Sequence, residues 1–222
     1  MDLRKIIIFG TGKIADVAYH CFEYDSDFRV AGFTVDEEYL DAESHQGLPV
    51  YPFESLQDMC DPDLYGLSVP IGYSNINRDR EKHFLDAKDK GYRCVSYVSS
   101  RAYVSGNVEI GDNCFIFEFN NIQPYCKIGD NCILWSGNHI GHHSTVEDHC
   151  FISSHVVVSG NVLVGHHSFI GVNATLRDSI SIGAHTVIGA GATILHDTAE
   201  RSVYIGMETK ASRVTSDRLK GI

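Results

Sequence analysis

The stretch VEIGDNCFIFEFNNIQPYCKIGDNCILWSGNHIGHHSTV, residues 108–146, decides the fold, because one class of side chain returns in it every six residues. Stepping outward by six in both directions gives Val98, Val104, Ile110, Ile116, Ile122, Ile128, Leu134, Ile140, Val146, Ile152, Val158, Val164, Ile170, Leu176, Ile182, Ile188 and Ile194. Each is Val, Ile or Leu, and the register never slips. A period of six suits neither a helix nor a plain alternating strand. It suits short strands that meet at corners with one anchor per strand pointing inward, a parallel β-helix solenoid. The residue after the anchor is often glycine (Gly111, Gly129, Gly141, Gly165, Gly171, Gly183, Gly189), which predicts tight corners with unusual backbone angles there. Four residues after the anchor the side chain is mostly small (Ala102, Cys114, Ser144, Ser168, Ala174, Thr186, Ala192), a second inward position. The anchors alone do not offset the entropy of ordering about 100 residues, so contact between subunits is expected.

Composition narrows the function. The 222 residues carry a formal net charge of −11, which argues against a nucleic-acid partner. No apolar run reaches the roughly 18 residues of a membrane span, and MDLRKIIIFG reads as a first strand and not as a signal peptide. The seven cysteines lack metal-type spacing; Cys114, Cys126, Cys132 and Cys150 share one phase of the repeat and read as reduced core residues, which predicts a cytoplasmic protein. The basic residues gather in the tail, where the last 22 positions hold five basic and two acidic side chains, against three and nine over 98–200. Three segments follow: an α/β domain over 1–97, the β-helix over 98–205 and a basic tail over 206–222.

Residues 1–97 read as a half-length nucleotide fold. KIIIFG (5–10), RVAGFTVD (29–36), LYGLSVPIG (64–72) and RCVSYVS (93–99) read as strands of a parallel sheet, with helices over 13–24 and 75–92 between them. The first turn matches G-x-G-x-x-A through Gly10, Gly12 and Ala15, and Asp36 ends the second strand. In that setting the amides of Gly10-Thr11-Gly12 and the helix N-terminus receive phosphate, and Asp36 accepts hydrogen bonds from a nucleotide. Fewer than 100 residues supply one lobe only, so a mononucleotide carrying a substrate fits better than a dinucleotide. Ile71 and Gly72, at the end of the third strand, and Arg78 on the next helix are further candidate contacts.

A half-length nucleotide fold joined to an uninterrupted hexapeptide solenoid resembles the bacterial sugar acyltransferases grouped with sialic-acid O-acetyltransferases and bacillosamine N-acetyltransferases. The resemblance implies a left-handed β-helix with eighteen residues per triangular coil. It implies a homotrimer with active sites between neighbouring subunits, acetyl-CoA as donor, and a nucleotide-linked sugar held by the N-terminal domain. In such relatives the third residue of a hexad is the catalytic histidine, which maps to His142, with His143 as the second candidate. Relatives carry Glu, Asn and His where this chain has Gly141, Trp135 and Phe151. The acceptor pocket is therefore expected to be more apolar, with Trp135 in it. Eighteen-residue spacing stacks His155, Asn173 and Gly191 in one corner column, which in the relatives lines the pantetheine arm. Gly171, Gly189 and Ala190 flank it, and Lys210 and Arg213 are candidates for the CoA phosphates.

The implied activity is N-acetylation of a nucleotide-linked amino sugar in bacterial surface polysaccharide or lipopolysaccharide synthesis, with sugar O-acetylation as the alternative. Two rivals remain. A non-catalytic sugar-nucleotide-binding protein is one. The other, a zinc enzyme of the γ-carbonic anhydrase type, needs a histidine five residues beyond His185, where Ala190 stands. No metal is therefore expected.

Overall fold

The computed structural model describes residues 4–213 and 215–218. The N-terminal unit is built on β1 (Lys5–Phe9), four of whose five residues are buried apolar side chains. It is followed by α1 (Lys13–Tyr24), which buries Ala15, Ala18 and Phe22, one helical face. Next come β2 (Arg29–Val35), β3 (Ser44–His45), β4 (Leu48–Pro52), α2 (Leu56–Met59), β5 (Tyr65–Ser68) and α3 (Arg78–Asp89). The sheet order is β3-β4-β2-β1-β5, parallel except for the β3–β4 hairpin. Strand β4 pairs in parallel with β2 and was not apparent in the sequence, where Pro49 and Pro52 break its pattern. The run RCVSYVS is not a full fourth strand. Only Cys94 bridges to Leu67, and Tyr97–Val98 already belongs to the solenoid.

The solenoid runs through eighteen two-residue strands among the described residues, from Tyr97–Val98 to Val203–Tyr204. They stack into three parallel sheets of seven, six and five strands, called here the first, second and third faces. All seventeen anchors are the second residue of their strand, and those from Ile116 to Ile194 are buried in one continuous core. The small inward residues do more than fill space. Those that carry a thiol or hydroxyl donate across to the next coil, as in Cys114 Sγ to Gly129 O (3.0 Å), Cys126 Sγ to Gly141 O (3.0 Å), Ser144 Oγ to Ser159 O (2.9 Å) and Ser168 Oγ to Gly183 O (3.2 Å).

The glycine expectation is corrected. None of the glycines that follow an anchor has a positive φ. A Cβ at Gly141 would meet Ser159 C at 2.5 Å, and one at Gly165 would meet Ala184 N at 2.6 Å, so these positions are glycine because the next coil lies against them. The left-handed residues sit two places later, at Asn113, Phe119, Tyr125, Asn131, Gly137, His143 and onward to His185 and Gly191. Asn and His tolerate that region better than most side chains.

The N-terminal unit lies on the first face, whose outward residues Tyr97, Phe115, Ile133 and Phe151 share a buried cluster with Phe22 and Phe33. Polar contacts fix the fit. Arg80 is fully buried on the inward face of α3, with no carboxylate among its hydrogen-bond partners. Its Nε donates to Asn131 O, its Nη2 to His149 O and Cys150 O, and its Nη1 to Ile71 O, Gly72 O and Asn77 Oδ1, at 2.7–3.2 Å. Burial lowers its pKa to about 10, which leaves it cationic at neutral pH. Asn77 Nδ2 reaches His167 O and Ser168 O, and Val69 N–H meets Asn113 Oδ1 at 2.8 Å. No helix among the described residues is long and apolar enough to cross a membrane.

Replacing Arg80 with Met leaves at least five carbonyl acceptors without a donor in a closed space. We expect a loss of about 3–5 kcal/mol of unfolding free energy, measured by urea denaturation, with a smaller loss for Arg80→Lys.

Candidate functional site

The C-terminal edge of the N-terminal sheet gathers the nucleotide-fold residues. Because β1 is flanked by β2 and β5, the Gly10-Thr11-Gly12 turn lies between Asp36 and the segment after β5. Gly10 has φ +100° and donates to Thr34 O, a conformation that favours glycine. Gly12 is the N-cap of α1, with no side-chain cap and open space around a Cβ, so the helix end faces outward unblocked. Gly72 faces Ile14 of α1, where a Cβ would come within 3.1 Å. Asp36 is already held, for its Oδ2 lies 2.9 Å from His83 Nε2. His83 was not singled out in the sequence; it lies one helical turn from Asp79, whose carbonyl faces its Nδ1 at 2.8 Å.

His142 and His143 sit on the corner between the second and third faces, both exposed in the single chain. Their Nδ1 atoms are 3.2 Å apart. The backbone N–H of His142 donates to Gln123 Oε1, and its ring lies over Gly160, where a Cβ would come within 2.8 Å. The ring of Tyr125 lies against that of His143, tilted by 30° with centroids 4.7 Å apart. The Nδ1–Nδ1 contact allows one proton only. When His142 Nδ1–H donates to His143, the His142 Nε2 lone pair is left free as an acceptor.

His155, Asn173 and Gly191 form a column of left-handed residues at the corner between the first and second faces, all exposed. Ala190 is exposed beside it. Gly171 is buried and Gly189 half-buried, and each faces the next coil's backbone, so their missing Cβ serves coil stacking. Lys210 and Arg213 are exposed in the tail; residues 214 and 219–222 of that segment lie outside the described residues. Trp135 does not stand beside His142. It packs at 4.1 Å on Phe117 against the cluster between the two units. Arg78 opens α3 and influences His167 and His185 at a third corner, away from the glycine turn.

Residues 125–160 and 161–196 match the family model of the bacterial transferase hexapeptide, six repeats. Those two segments carry the hexapeptide repeat that the model describes. Among solved structures, this hexapeptide-repeat chain is similar to a mutant perosamine N-acetyltransferase from Caulobacter crescentus in complex with CoA and GDP-perosamine. The two are 27% identical with a TM-score of 0.83, over 91% of this chain and 93% of that one. The acetyltransferase domain of PglB from Neisseria gonorrhoeae is 22% identical with a TM-score of 0.80, over 90% and 95% of the chains, a likeness of fold. No curated protein matches the sequence.

The hexapeptide-repeat chain has one more polar corner, between its third and first faces. Here Asn113, Asn131, His149, His167 and His185 stack one coil apart. Val69 N–H fixes Asn113 Oδ1 as acceptor, so Asn113 Nδ2 donates to Asn131 Oδ1 (2.8 Å) and Asn131 Nδ2 to His149 Nδ1 (2.9 Å). His149 therefore carries its proton on Nε2, which faces Glu81 Oε1 at 3.6 Å. Burial, then His167, lowers the His149 pKa to about 4; burial first also lowers those of His167 and His185. The eighteen-residue spacing of these histidines was readable in the sequence, but their contact with α3 was not.

A histidine whose folded pKa lies below its unfolded value near 6.5 resists protonation only in the folded state. Its stabilisation is complete above about pH 6.5 and is lost as pH falls towards 4, by up to about 3 kcal/mol for His149. His149→Asn, which extends the asparagine ladder by one coil, should flatten the unfolding free energy between pH 6.5 and 4. An unchanged pH dependence in denaturant titrations would contradict this account.

Proposed function

We propose that this protein is an acetyl-CoA-dependent N-acetyltransferase acting on the free amine of a nucleotide-linked sugar. The observation that carries the reading is the likeness, along nine-tenths of the chain, to an N-acetyltransferase bound to CoA and a GDP-linked amino sugar. The hexapeptide solenoid and the open glycine turn of the N-terminal unit agree with it.

His142 is the general base in this proposal. The sugar amine attacks the thioester carbonyl carbon, a C–N bond forms, and the C–S bond breaks as CoA leaves as its thiolate. His142 Nε2 accepts the proton lost by the amine and returns it to the departing sulfur. His143 takes the part of an orienting acceptor, holding the His142 Nδ1 proton. The His155–Asn173–Gly191 column receives the pantetheine arm, and Gly10-Thr11-Gly12 with Asp36 receives the nucleotide.

The active unit in this proposal is a homotrimer. The N-terminal unit covers the first face, whereas His142 occupies the corner between the other two, so a sugar held at the sheet edge of one chain needs the His142 of a neighbour. The exposed aromatic rings of Tyr103, Phe119 and Tyr125 suit burial between subunits. The reaction belongs to the cytoplasm, where acetyl-CoA is made, and supplies a bacterial surface polysaccharide such as lipopolysaccharide.

GDP-, UDP- and dTDP-linked amino sugars, incubated with acetyl-CoA and read by mass spectrometry, should give one acetylated product; transfer only to hydroxyl acceptors would overturn the amine assignment. His142→Asn should lower turnover by about 10²–10⁴-fold with acetyl-CoA affinity nearly unchanged. His143→Ala should lower kcat more than KM, and His143→Glu, which restores an acceptor, should recover much of the loss. Sedimentation should give a species near three times 24.6 kDa, and an active monomer would sink the shared-site proposal.

A further inference from the structure

The segment Gly-His-His-Ser occurs twice, at 141–144 and 165–168, one coil plus one hexad apart, so the second copy falls on the next corner. The local geometry repeats as well. In both copies the first histidine's backbone N–H is capped by a side chain nineteen residues earlier, Gln123 or Glu147. The paired Nδ1 atoms are 3.2 Å apart in the first copy and 2.9 Å in the second. What differs is the setting. The first pair is open to solvent, whereas the second gains a third imidazole from the following coil and a carboxylate from α3.

We propose that His166, His167 and His185 form a binding site for a divalent transition-metal ion of the zinc class, with Glu81 as its supporting carboxylate. One ring nitrogen from each histidine lies within 4.8 Å of the other two. The His185 ring stands 4.9 Å from His166 and 4.7 Å from His167. Its Nδ1 is buried with no hydrogen-bond partner among the described residues, an arrangement that proteins seldom leave unexplained. Nitrogens sharing a tetrahedral zinc at about 2.0–2.1 Å lie roughly 3.3 Å apart, so modest ring rotations bring this set onto one ion.

Glu81 completes the case. Its Oε2 lies 3.0 Å from His167 Nε2, although out of line with the ring N–H direction. A small adjustment makes that nitrogen the donor to the carboxylate and leaves His167 Nδ1 as the ligand, the usual way a carboxylate orients a metal-bound imidazole. His149 is excluded from the set, because the asparagine ladder fixes its proton on Nε2. These histidines differ from the zinc pattern set aside in the sequence, which needed a histidine at Ala190. A groove of about 750 Å³ lined in part by Glu81, His149, His166 and His167 gives an ion and its remaining water access. The ion joins α3 to the solenoid corner, so its role is to stabilise that joint, independent of acetyl transfer.

The test uses the full chain, stripped with chelator and dialysed, titrated with zinc chloride and nickel chloride by calorimetry and followed by thermal unfolding. One ion per chain at micromolar affinity is expected, with a rise in Tm on saturation. His166→Ala and His185→Ala should each weaken binding at least about 10-fold, while His142→Asn should leave it unchanged. Circular dichroism of each variant checks that it is folded, and cobalt(II) substitution should give the visible absorption of a low-coordinate nitrogen site. No saturable binding below about 1 mM zinc would overturn the proposal. So would binding that survives in folded His185→Ala but vanishes in His142→Asn.

Discussion

Arg80 carries a positive charge into a space closed to water and, among the described residues, its hydrogen-bond acceptors are all amide oxygens. Three of those oxygens, on Asn131, His149 and Cys150, come from two successive coils of the solenoid; three others, on Ile71, Gly72 and Asn77, come from the loop that leads into α3. A guanidinium suits this task because its donors are held in a rigid plane and so register several carbonyl directions at once. The consequence is positional. The loop after β5 cannot move relative to the coils without unsatisfying the cation, and the glycine turn beside that loop inherits the same fixed place. The apolar cluster supplies the bulk of the adhesion between the two units, while the arginine sets their angle and register.

Much of this was legible in the sequence. The seventeen anchors required only that strands be short and parallel, and any inward position with a single preferred residue class advertises itself through spacing. The N-terminal strands and the glycine turn were legible for a similar reason. Other features were hidden because their cause lies in contacts between distant residues. Arg80 falls on a helix whose sequence reads as polar, and nothing local marks it as the buried one among several charges. Trp135 follows its anchor, and its ring packs on Phe117 against the cluster beneath the N-terminal unit, a contact that needs the coil geometry to see. The glycines after the anchors were assigned to backbone freedom, when their reason is the thickness of one coil against the next.

The two histidine pairs show how far chemistry depends on place. At the exposed corner a pair of imidazoles can share one proton, which leaves the outer nitrogen with a lone pair. At the other corner the same dipeptide meets a third imidazole and a carboxylate, and burial lowers the pKa values of His167 and His185. Local sequence is identical over four residues, so the difference comes from the neighbouring coil and from α3. A reading that stopped at the motif would assign both pairs the same role.

Because one coil is three hexads, a residue's number fixes both its height on the axis and the side of the triangle it occupies. In genetic terms, an in-frame duplication or loss of three hexads lengthens or shortens the prism and returns every downstream residue to its own side. A gain or loss of a single hexad preserves the core equally well, since anchor still follows anchor, yet turns everything beyond it by a third of a revolution. The inward thiols and hydroxyls away from the change would keep their carbonyls, whereas first-face residues packed against the N-terminal unit would be displaced. Only the outward residues would register the change, each presented to a different neighbour. Such a protein offers mutation a route to new surface arrangements that leaves its interior untouched.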